Sequence, residues 1–348
     1  MRPSVLKLLL AALGLGLAAT AAAPAQAKKL TTIAIVTPEQ ATDFGWNQQG
    51  VAGAQAAADK YHLKLLKAEG MGYGDIRPTL RDLVDQGAGL IIAHASGYNT
   101  AAVEIAKETH TPVAITDRPD LQQPGLVADY TLSGHEGAYL AGVLAAKMTK
   151  TGTLGIVVSA EVPDWNSQSA GFVQGAKAVD PNIKIRYAVI GPAAYSDVAG
   201  ARRVTQSVIA AGADVIFGQG DGASFGMLQA VETVKSPSGD KVWFIDVIGD
   251  KSSIDKGHLL SSVVWNFEPV FGTMVAGLEN GDFGVHKYQP NLKDGSISLL
   301  DTKHIPAAIW AEIEKTRQGI IDGTIKVAEV FDTQKVHAMM TSVQGSKK

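Results

Sequence analysis

The sequence contains no cysteine in 348 residues. The chain therefore forms no disulfide, and it also lacks the cysteine that carries a lipid anchor after many bacterial export signals. Without disulfides, stability has to come from a sizeable hydrophobic core. About 320 residues remain after an export signal, which is enough for such a core and suits two domains better than one.

A strong charge of either sign is also missing. The formal net charge at pH 7 is -3, and no basic stripe occurs. Nucleic acid and an anionic membrane are therefore poor candidates as partners. The histidines show no spacing typical of metal ligands and no HExxH motif occurs, so we predict neither a metal site nor a cofactor.

Long apolar runs are absent except near the N-terminus. There Arg2 and Lys7 flank an apolar stretch over residues 8–19, and Ala25-Gln26-Ala27 matches a small-residue cleavage signal. The stretch is shorter than the roughly 20 apolar residues of a membrane-spanning helix. We predict a signal peptide over residues 1–27, cleavage after Ala27, and a free soluble chain in a bacterial periplasm.

The remaining chain alternates between short apolar runs and longer amphipathic stretches. Thr32–Val36 and Leu154–Val158 are typical of strands, and Gly137–Met148 and Ser167–Val179 are typical of helices. Such alternation predicts an α/β fold in which helices cover both faces of parallel sheets. The alternation runs through two cycles, and the second cycle begins after the turn Thr149-Lys150-Thr151-Gly152.

The two cycles predict two doubly wound lobes with a cleft between them. We expect the N-terminal lobe to hold residues 28–150, with a strand and a helix from about 251–290 returning to it. The C-terminal lobe would then hold residues 151–250 and about 291–340. Because the chain would cross between the lobes several times, the crossings are expected to form a hinge.

The stretch Thr42–Gly50, with the sequence TDFGWNQQG, joins the first predicted strand to the first predicted helix. In an open parallel sheet this is the carboxyl edge of the strands, where ligands bind. Trp46 offers a flat apolar face, and Asn47 offers both a donor and an acceptor. The pair suits a flat polar heterocycle. The alternative is that Trp46 covers the core and anchors the helix.

Aromatic and acidic side chains also follow the other predicted strands. Each alone has an alternative role as a cap or turn residue. Together they are typical of ligand recognition, because carboxylates accept hydrogen bonds from donor groups and aromatic rings stack on flat ligands. These further candidates are Asp43, Tyr98, Asp117, Trp165, Tyr195, Asp221, Asp246 and Asp250.

One motif points to catalysis. The segment Gly222-Ala223-Ser224-Phe225-Gly226 matches the G-x-S-x-G elbow of serine hydrolases, and acid and histidine candidates follow it in the hydrolase order. The elbow needs its serine directly at the strand end, whereas residues 218–221 intervene here. A glycine-rich loop at the start of a helix would have the same sequence. A hydrolase using Ser224 is therefore only an alternative interpretation.

Several short segments share a characteristic order and spacing. They are the D-F-G-W-N-Q-x-G loop, Leu90–Ala93 with Ser96-Gly97-Tyr98, Tyr139–Gly142, Ala170–Ala176 and Ala211–Ile216. Over about Thr31 to Asp282 the chain thereby resembles the basic membrane protein family, the purine-nucleoside receptor-like substrate-binding components of ABC transporters. The resemblance implies a type I periplasmic binding protein that is a monomer, binds a purine base or nucleoside, catalyses no reaction and partners an inner-membrane ABC permease.

The same resemblance implies roles for individual residues. Trp46 and Tyr195 would stack on the two faces of the base, and Asn47 would touch its edge. Asp221 would lie in the glycine-rich ligand loop. Either Asp246 or Asp250 would match the carboxylate that holds ribose.

Trp265 departs from the family pattern. Members that bind nucleosides often carry a lysine where Trp265 follows Ser261–Val264. The change removes a donor on the ribose side and adds an apolar plane, which favours a free base or another flat ligand. Two further alternatives stay open, namely a receptor of the same fold for a sugar or other small polar solute, and a regulatory sensor that partners a different membrane protein.

Overall fold

The computed structural model describes residues 30–192 and 194–341, and the predicted signal peptide lies outside the described residues. A first sheet is built from five strands, which are β1 (Thr32–Val36), β2 (Lys64–Ala68), β3 (Leu90–Ala93), β4 (Val113–Ile115) and β5 (Val127–Asp129). All of its pairings are parallel, in the order β2-β1-β3-β4-β5.

A second sheet lies in the other lobe. Its strands are β6 (Thr153–Val158), β7 (Lys184–Val189), β8 (Val215–Gln219), β9 (Trp243–Ile248), β10 (Leu259–Trp265) and β11 (Ile297–Leu299). The order is β11-β10-β9-β8-β6-β7, and β11 runs antiparallel to β10 while the other pairings are parallel. The sequence pattern did not predict β11, which is only three residues long.

Helices cover these sheets. They are α1 (Trp46–Lys60), α2 (Arg77–Asp85), α3 (Asn99–Thr109), α4 (Gly134–Met148), α5 (Pro163–Val179), α6 (Val198–Ala210), α7 (Ser224–Thr233), α8 (Glu268–Asn280), α9 (Ala307–Ile321) and α10 (Thr333–Thr341). The contacts α1·α8, α2·α3, α4·α5 and α6·α7 pair helices on the sheet faces.

Strand β1 shows why its sequence is continuously apolar. Ile33 and Ile35 belong to the core that includes Ala54 of α1, whereas Ala34 belongs to a separate core with Leu80 of α2. Both faces of the strand are thus covered, and all five of its residues are buried. The predicted α/β fold of two parallel, doubly covered sheets is confirmed.

The chain changes lobes earlier than the sequence pattern predicted. Helix α4 was expected in the N-terminal lobe, but it packs against α5 and β10 of the second lobe. Glycines permit this contact, because a Cβ at Gly142 would lie 2.0 Å from the carbonyl oxygen of Phe172, and one at Gly171 would lie 2.2 Å from that of His135. The assignment of residues 134–148 to the N-terminal lobe was therefore wrong.

The later strand and helix divide between the two lobes. Strand β10 was expected to return to the first lobe, but it pairs with β9 in the second sheet, so this assignment was wrong. Helix α8 packs on α1 of the first lobe, where Gly53 makes room for Phe267. The chain thus crosses between the lobes from β5 to α4, from β10 to α8, and from α8 back to β11.

Candidate functional site

A cavity of about 120 Å³ lies between the lobes at the carboxyl ends of the strands. Residues of both lobes line it, so its walls are complete only when the lobes meet. The lining residues are Trp46, Tyr73, Ala95, Ser96, Asp117, Val162, Asp164, Trp165, Tyr195, Asp221 and Trp265. Among the predicted candidates, the structure brings together Trp46, Asp117, Trp165, Tyr195, Asp221 and Trp265.

The TDFGWNQQG stretch positions Trp46 at the start of α1. Asp43 caps this helix, since its carboxylate accepts the backbone N–H groups of Asn47 (2.9 Å) and Gln48 (2.9 Å). Gly45 lets the loop approach the second lobe, because a Cβ there would lie 3.3 Å from the Cα of Asp221. Gly50 leaves room for His94, whose Nε2 would lie 2.2 Å from a Cβ at that position.

Trp46 is fixed by His94, the residue that follows β3. The two rings stack with centroids 4.0 Å apart and planes inclined by 10°, and the indole Nε1 donates to the His94 carbonyl oxygen at 2.8 Å. Burial lowers the pKa of His94 to about 3, so this imidazole is neutral. His94 therefore covers one face of the indole, which leaves the opposite face for the cavity.

Two further tryptophans complete the aromatic walls. The Trp165 and Trp265 rings lie 6.2 Å apart, and Trp265 meets Trp46 edge to face at 5.9 Å. The Nε1 of Trp165 donates to Ser159 Oγ at 3.1 Å. The Nε1 of Trp265 is buried and has no hydrogen-bond partner among the described residues. A buried donor without a partner is costly, and the Trp265 side chain lies in the wall of the cavity.

Three carboxyl groups face the cavity from different elements. Asp117 follows β4, Asp164 opens α5 and Asp221 follows β8. Asp117 keeps an exposed surface while lining the cavity, and the surrounding protein atoms and then the charge of Asp129 raise its pKa. Burial and then Asp117 raise the pKa of Asp164 well above its usual range.

The Asp221 carboxyl lies against the first lobe, where its Oδ1 would be 3.6 Å from a Cβ at Gly45. Its Oδ1 is buried and accepts no hydrogen bond of good geometry in the described part of the chain, although the backbone N–H of Trp46 lies near the carboxyl and lowers its pKa. Burial, followed by the charges of Asp43 and Glu39, raises the pKa of Asp221 to about 8. Tyr195 lies beside this loop, because its carbonyl oxygen accepts the Ala223 backbone N–H at 2.7 Å.

We expect Asp221→Asn to reduce the pH dependence of stability in the ligand-free protein. The pKa of this carboxyl is about 8 in the folded chain and near the ordinary 3.8 in the unfolded chain. Between these two pH values the folded chain keeps a proton on Asp221 that the unfolded chain has lost. The contribution of this group to the free energy of unfolding therefore falls as pH rises through that window, by up to about 1.4 kcal/mol per pH unit. Asparagine binds no such proton.

Urea unfolding of wild type and variant across this pH window measures the difference. The exposed residue Asp250 provides the matched control, since Asp250→Asn should leave the slope unchanged. Parallel pH profiles for Asp221→Asn and wild type would contradict the placement of this carboxyl.

Asp117 also has an unusual backbone conformation. Its φ is 61°, in the left-handed region that disfavours residues with a side chain, and Phe44 (φ 51°) and Ile248 (φ 72°) share this conformation near the junction of the lobes. Such conformations persist where the surrounding structure enforces them, and they cluster at ligand sites.

Several predicted residues do not reach the cavity. The side chain of Asn47 is occupied, because its Nδ2 donates to Asp43 (2.8 Å) and its Oδ1 accepts the backbone N–H of Glu39 (3.3 Å). Tyr98 is buried, and its hydroxyl donates to the Gly72 carbonyl oxygen at 2.5 Å. The sequence pattern correctly predicted the edge of the sheet at which these residues lie. It did not predict the direction in which their side chains point.

Asp246 and Asp250 also lie outside the cavity lining. Asp246 is fully buried and forms an ion pair with Lys251 at 2.6 Å, in which neither side chain is exposed. Asp250 is exposed, and its carboxylate accepts the backbone N–H of Ser252 at 2.7 Å. Neither carboxylate is positioned to meet a molecule in the cavity.

The structure adds lining residues that the sequence reasoning did not select. Tyr73 lies in the glycine-rich segment 70–74 and is 62% exposed, although its ring borders the cavity. Asp164 precedes Trp165 and resembles an ordinary acidic residue at a helix start. The glycines around Tyr73 and the neighbouring Trp165 were the available signals.

The two lobes touch across the cleft beside the cavity. Lys251 Nζ donates to the Phe44 carbonyl oxygen at 3.1 Å, and the Phe44 and Phe225 rings meet edge to face at 6.0 Å. The Ser196 hydroxyl donates to the Glu39 carboxylate. The structure therefore has the lobes closed around the cavity.

Ser224 is not arranged as a nucleophile. It is buried in the first turn of α7, and its hydroxyl donates to the Gly220 carbonyl oxygen at 2.5 Å. The motif that suggested a serine hydrolase is thus a glycine-rich turn opening a helix.

A larger space of about 680 Å³ borders Leu30, Gly87 and His110 at the opposite, amino end of the first sheet. It lacks aromatic walls. Within residues 30–192 and 194–341, no cluster of three or more histidine or acidic side chains is placed to hold a metal ion. The same described part of the chain contains no helix with the length and apolar character to span a membrane.

Comparison with known proteins identifies the family. Residues 30–330 match the Bmp family model, described as ABC transporter substrate-binding protein PnrA-like. The chain is 27% identical to the ABC transporter nucleoside-binding protein BmpA of Lactococcus lactis, over 84% of this chain and 88% of that protein. It is 23% identical to a purine-binding protein of Brucella abortus, over 81% of this chain and 79% of that protein.

Solved structures agree with the fold. An ABC transporter solute-binding protein from Conexibacter woesei superposes with a TM-score of 0.71 at 18% identity, covering 87% of this chain and 100% of that one. Proteins of the matched family are solute receptors outside the cytoplasm that bind a small ligand and partner a permease, and they are not enzymes. The chain therefore belongs to the Bmp family of PnrA-like substrate-binding proteins of ABC transporters.

Proposed function

We propose that the protein binds a purine base, or a closely similar flat nitrogen heterocycle, in the cavity between its lobes and delivers it to an inner-membrane permease. The observation that carries this proposal is the aromatic cavity, in whose wall Asp221 and Trp265 each hold a buried polar atom without a hydrogen-bond partner among the described residues. A purine base offers N–H donors and ring-nitrogen acceptors in one plane, so it can form a hydrogen bond with each of these two atoms.

The aromatic walls support a flat ligand. The cavity face of Trp46 is backed by His94, and Tyr195 approaches from the other lobe. Stacking of a base on an aromatic side chain contributes about 1–3 kcal/mol per base. A ligand between two such rings would gain from both lobes at once.

The size of the cavity favours a free base over a nucleoside. Its volume of about 120 Å³ is well below the roughly 300–1,000 Å³ of pockets that take drug-sized ligands. Trp265 lies fully buried in the cavity wall, where it adds apolar surface rather than a donor for ribose hydroxyls. Asp246, a candidate for holding ribose, pairs with Lys251 through one oxygen and does not line the cavity.

The names of two relatives point to the same ligand class. The Lactococcus lactis protein is a nucleoside-binding protein, and the Brucella abortus protein is a purine-binding protein. Both relatives align over most of this chain, which supports a purine or nucleoside as the ligand class.

The proposed mechanism couples binding to closure. Trp46 belongs to the first lobe, whereas Tyr195 and Asp221 belong to the second. A ligand that contacts both lobes stabilises the closed arrangement and shifts the population towards it. The permease would recognise the closed form. We further propose that cleavage after Ala27 releases the protein into the periplasm as a monomer.

Calorimetric titration of the chain beginning at Lys28 tests this function. We expect adenine or hypoxanthine to bind with one-to-one stoichiometry, and adenosine to bind more weakly because the cavity has little room for ribose. Ribose and arabinose serve as controls for a sugar receptor. Binding of a sugar together with no heat from any purine would contradict the proposed ligand class.

A further inference from the structure

We propose that the site selects a cationic ligand, namely a flat nitrogen heterocycle that carries a positive charge and at least one hydrogen-bond acceptor. This inference rests on the proposed function, because it takes the interlobe cavity as the binding site for a flat heterocycle, and it adds the charge of that ligand.

The charges around the cavity carry the inference. Asp117, Asp164 and Asp221 face it, and no lysine, arginine or histidine is among the described residues of its lining. Asp164 accepts one neutral hydrogen bond, from Gln168 at 3.1 Å. The cavity therefore presents several acidic groups and no cation to balance them.

The neighbouring charged groups do not supply the missing cation. Glu39 and Asp43 act on Asp221 from the first lobe, and Glu329 acts on Asp164. Lys251 is the basic group that acts on Asp221, but its amine already binds Asp246 at 2.6 Å and the Phe44 carbonyl oxygen at 3.1 Å. A cationic ligand would supply the positive charge that balances the acidic groups of the cavity.

The aromatic walls suit a cation as well as a flat ring. The faces of tryptophan and tyrosine rings attract positive charge, and tryptophan does so most strongly. Trp46, Trp165, Trp265 and Tyr195 surround the cavity together with the three carboxyls. The aromatic rings stabilise a delocalised positive charge at the faces of the ligand, and the carboxyl groups stabilise it at the edge of the ligand.

Trp265 restricts the class further. Its side chain is fully buried in the wall of the cavity, and its indole N–H has no partner among the described residues. A simple alkylammonium ion would leave this donor unpaired. The ligand therefore needs an acceptor, such as a ring nitrogen or a carbonyl oxygen, on the side away from its charge.

Binding of a cation should also release protons. Burial and repulsion by other acidic groups raise the pKa values of Asp164 and Asp221, so the empty cavity retains protons on these carboxyls. A cation favours the ionised carboxylates, with which its N–H groups form charge-assisted hydrogen bonds about twice as strong as neutral ones. A neutral base would leave those protons in place.

A matched pair of probes tests the charge. The first is nicotinamide methylated on its ring nitrogen, a permanent cation with an amide oxygen as acceptor, and the second is nicotinamide methylated on a ring carbon, which has the same number of heavy atoms and is neutral. We expect calorimetry to give at least about tenfold tighter binding for the cation, because its ring charge is attracted to ionised carboxylates and to tryptophan faces. Buffers that differ in ionisation enthalpy should reveal proton release for the cation alone.

Variants test which carboxyl group produces the preference for the cation. Asp164→Asn should remove most of the preference for the cation, and Asp250→Asn, an exposed acid outside the cavity, should keep it. Equal affinity of the two probes for the wild-type protein would overturn the inference, as would a preference that survives Asp164→Asn unchanged.

Adenine in the same series separates this inference from the proposed function. If adenine binds and the cation binds no tighter than its neutral partner, the charge inference falls and the purine receptor stands. If the cation binds and adenine does not, the cationic site stands and the purine assignment falls. If no probe binds, both fall.

Discussion

Trp46→Ala is expected to weaken ligand binding by about tenfold to a hundredfold, because stacking on one aromatic ring contributes about 1–3 kcal/mol. The loss should be large because His94 fixes the indole at 4.0 Å and leaves one face for the ligand. Calorimetric titration of the purine panel against the variant measures the effect.

The same indole also packs where the two lobes meet. Trp46 meets Trp265 and Phe267 edge to face at 5.9 Å and 5.3 Å, so its removal will lower stability as well as affinity. Trp46→Phe is the control, because it keeps an aromatic plane and should retain most of the affinity. Circular dichroism confirms that each variant is folded before titration. Unchanged affinity in Trp46→Ala would remove this residue from the site.

Lys251→Met is expected to destabilise the protein by about 3–5 kcal/mol, because it leaves the Asp246 carboxylate buried without its cation. Both side chains of this pair have no exposed surface. The variant also loses the hydrogen bond from Lys251 to the Phe44 carbonyl oxygen, which joins the two lobes. Urea unfolding at neutral pH measures the change in the free energy of unfolding.

The double variant Asp246→Leu with Lys251→Met distinguishes a structural ion pair from a ligand carboxylate. Replacing both members of a buried pair by apolar residues is often neutral or stabilising, so the double variant should recover much of the lost stability. It should also keep most of its purine affinity, because Asp246 does not line the cavity. A stable double variant that no longer binds would restore Asp246 to the ligand site.

The sequence predicted the elements of the fold better than their grouping. Alternation of apolar and amphipathic stretches located β1 and β6 to within one residue at each end, because doubly covered strands are continuously apolar. The same signal could not place α4 or β10. A periodic apolar face shows that a helix is buried, but it does not show which sheet buries it.

The candidate site was predictable to a similar extent. The carboxyl ends of the strands identified Trp46, Asp117 and Asp221, because parallel strands bring these positions to one edge. The sequence could not show that Asn47 would turn back to Asp43, or that Asp246 would meet Lys251. Those outcomes depend on side-chain direction and on a partner that only the folded chain supplies.

The most direct test of the central claim is a crystal structure of the protein grown with adenine. The account predicts the base between Trp46 and Tyr195, with hydrogen bonds to Asp221 Oδ1 and from Trp265 Nε1, in a closed arrangement of the lobes. A base bound at the opposite end of the first sheet, or a cavity that stays empty at saturating adenine, would contradict it.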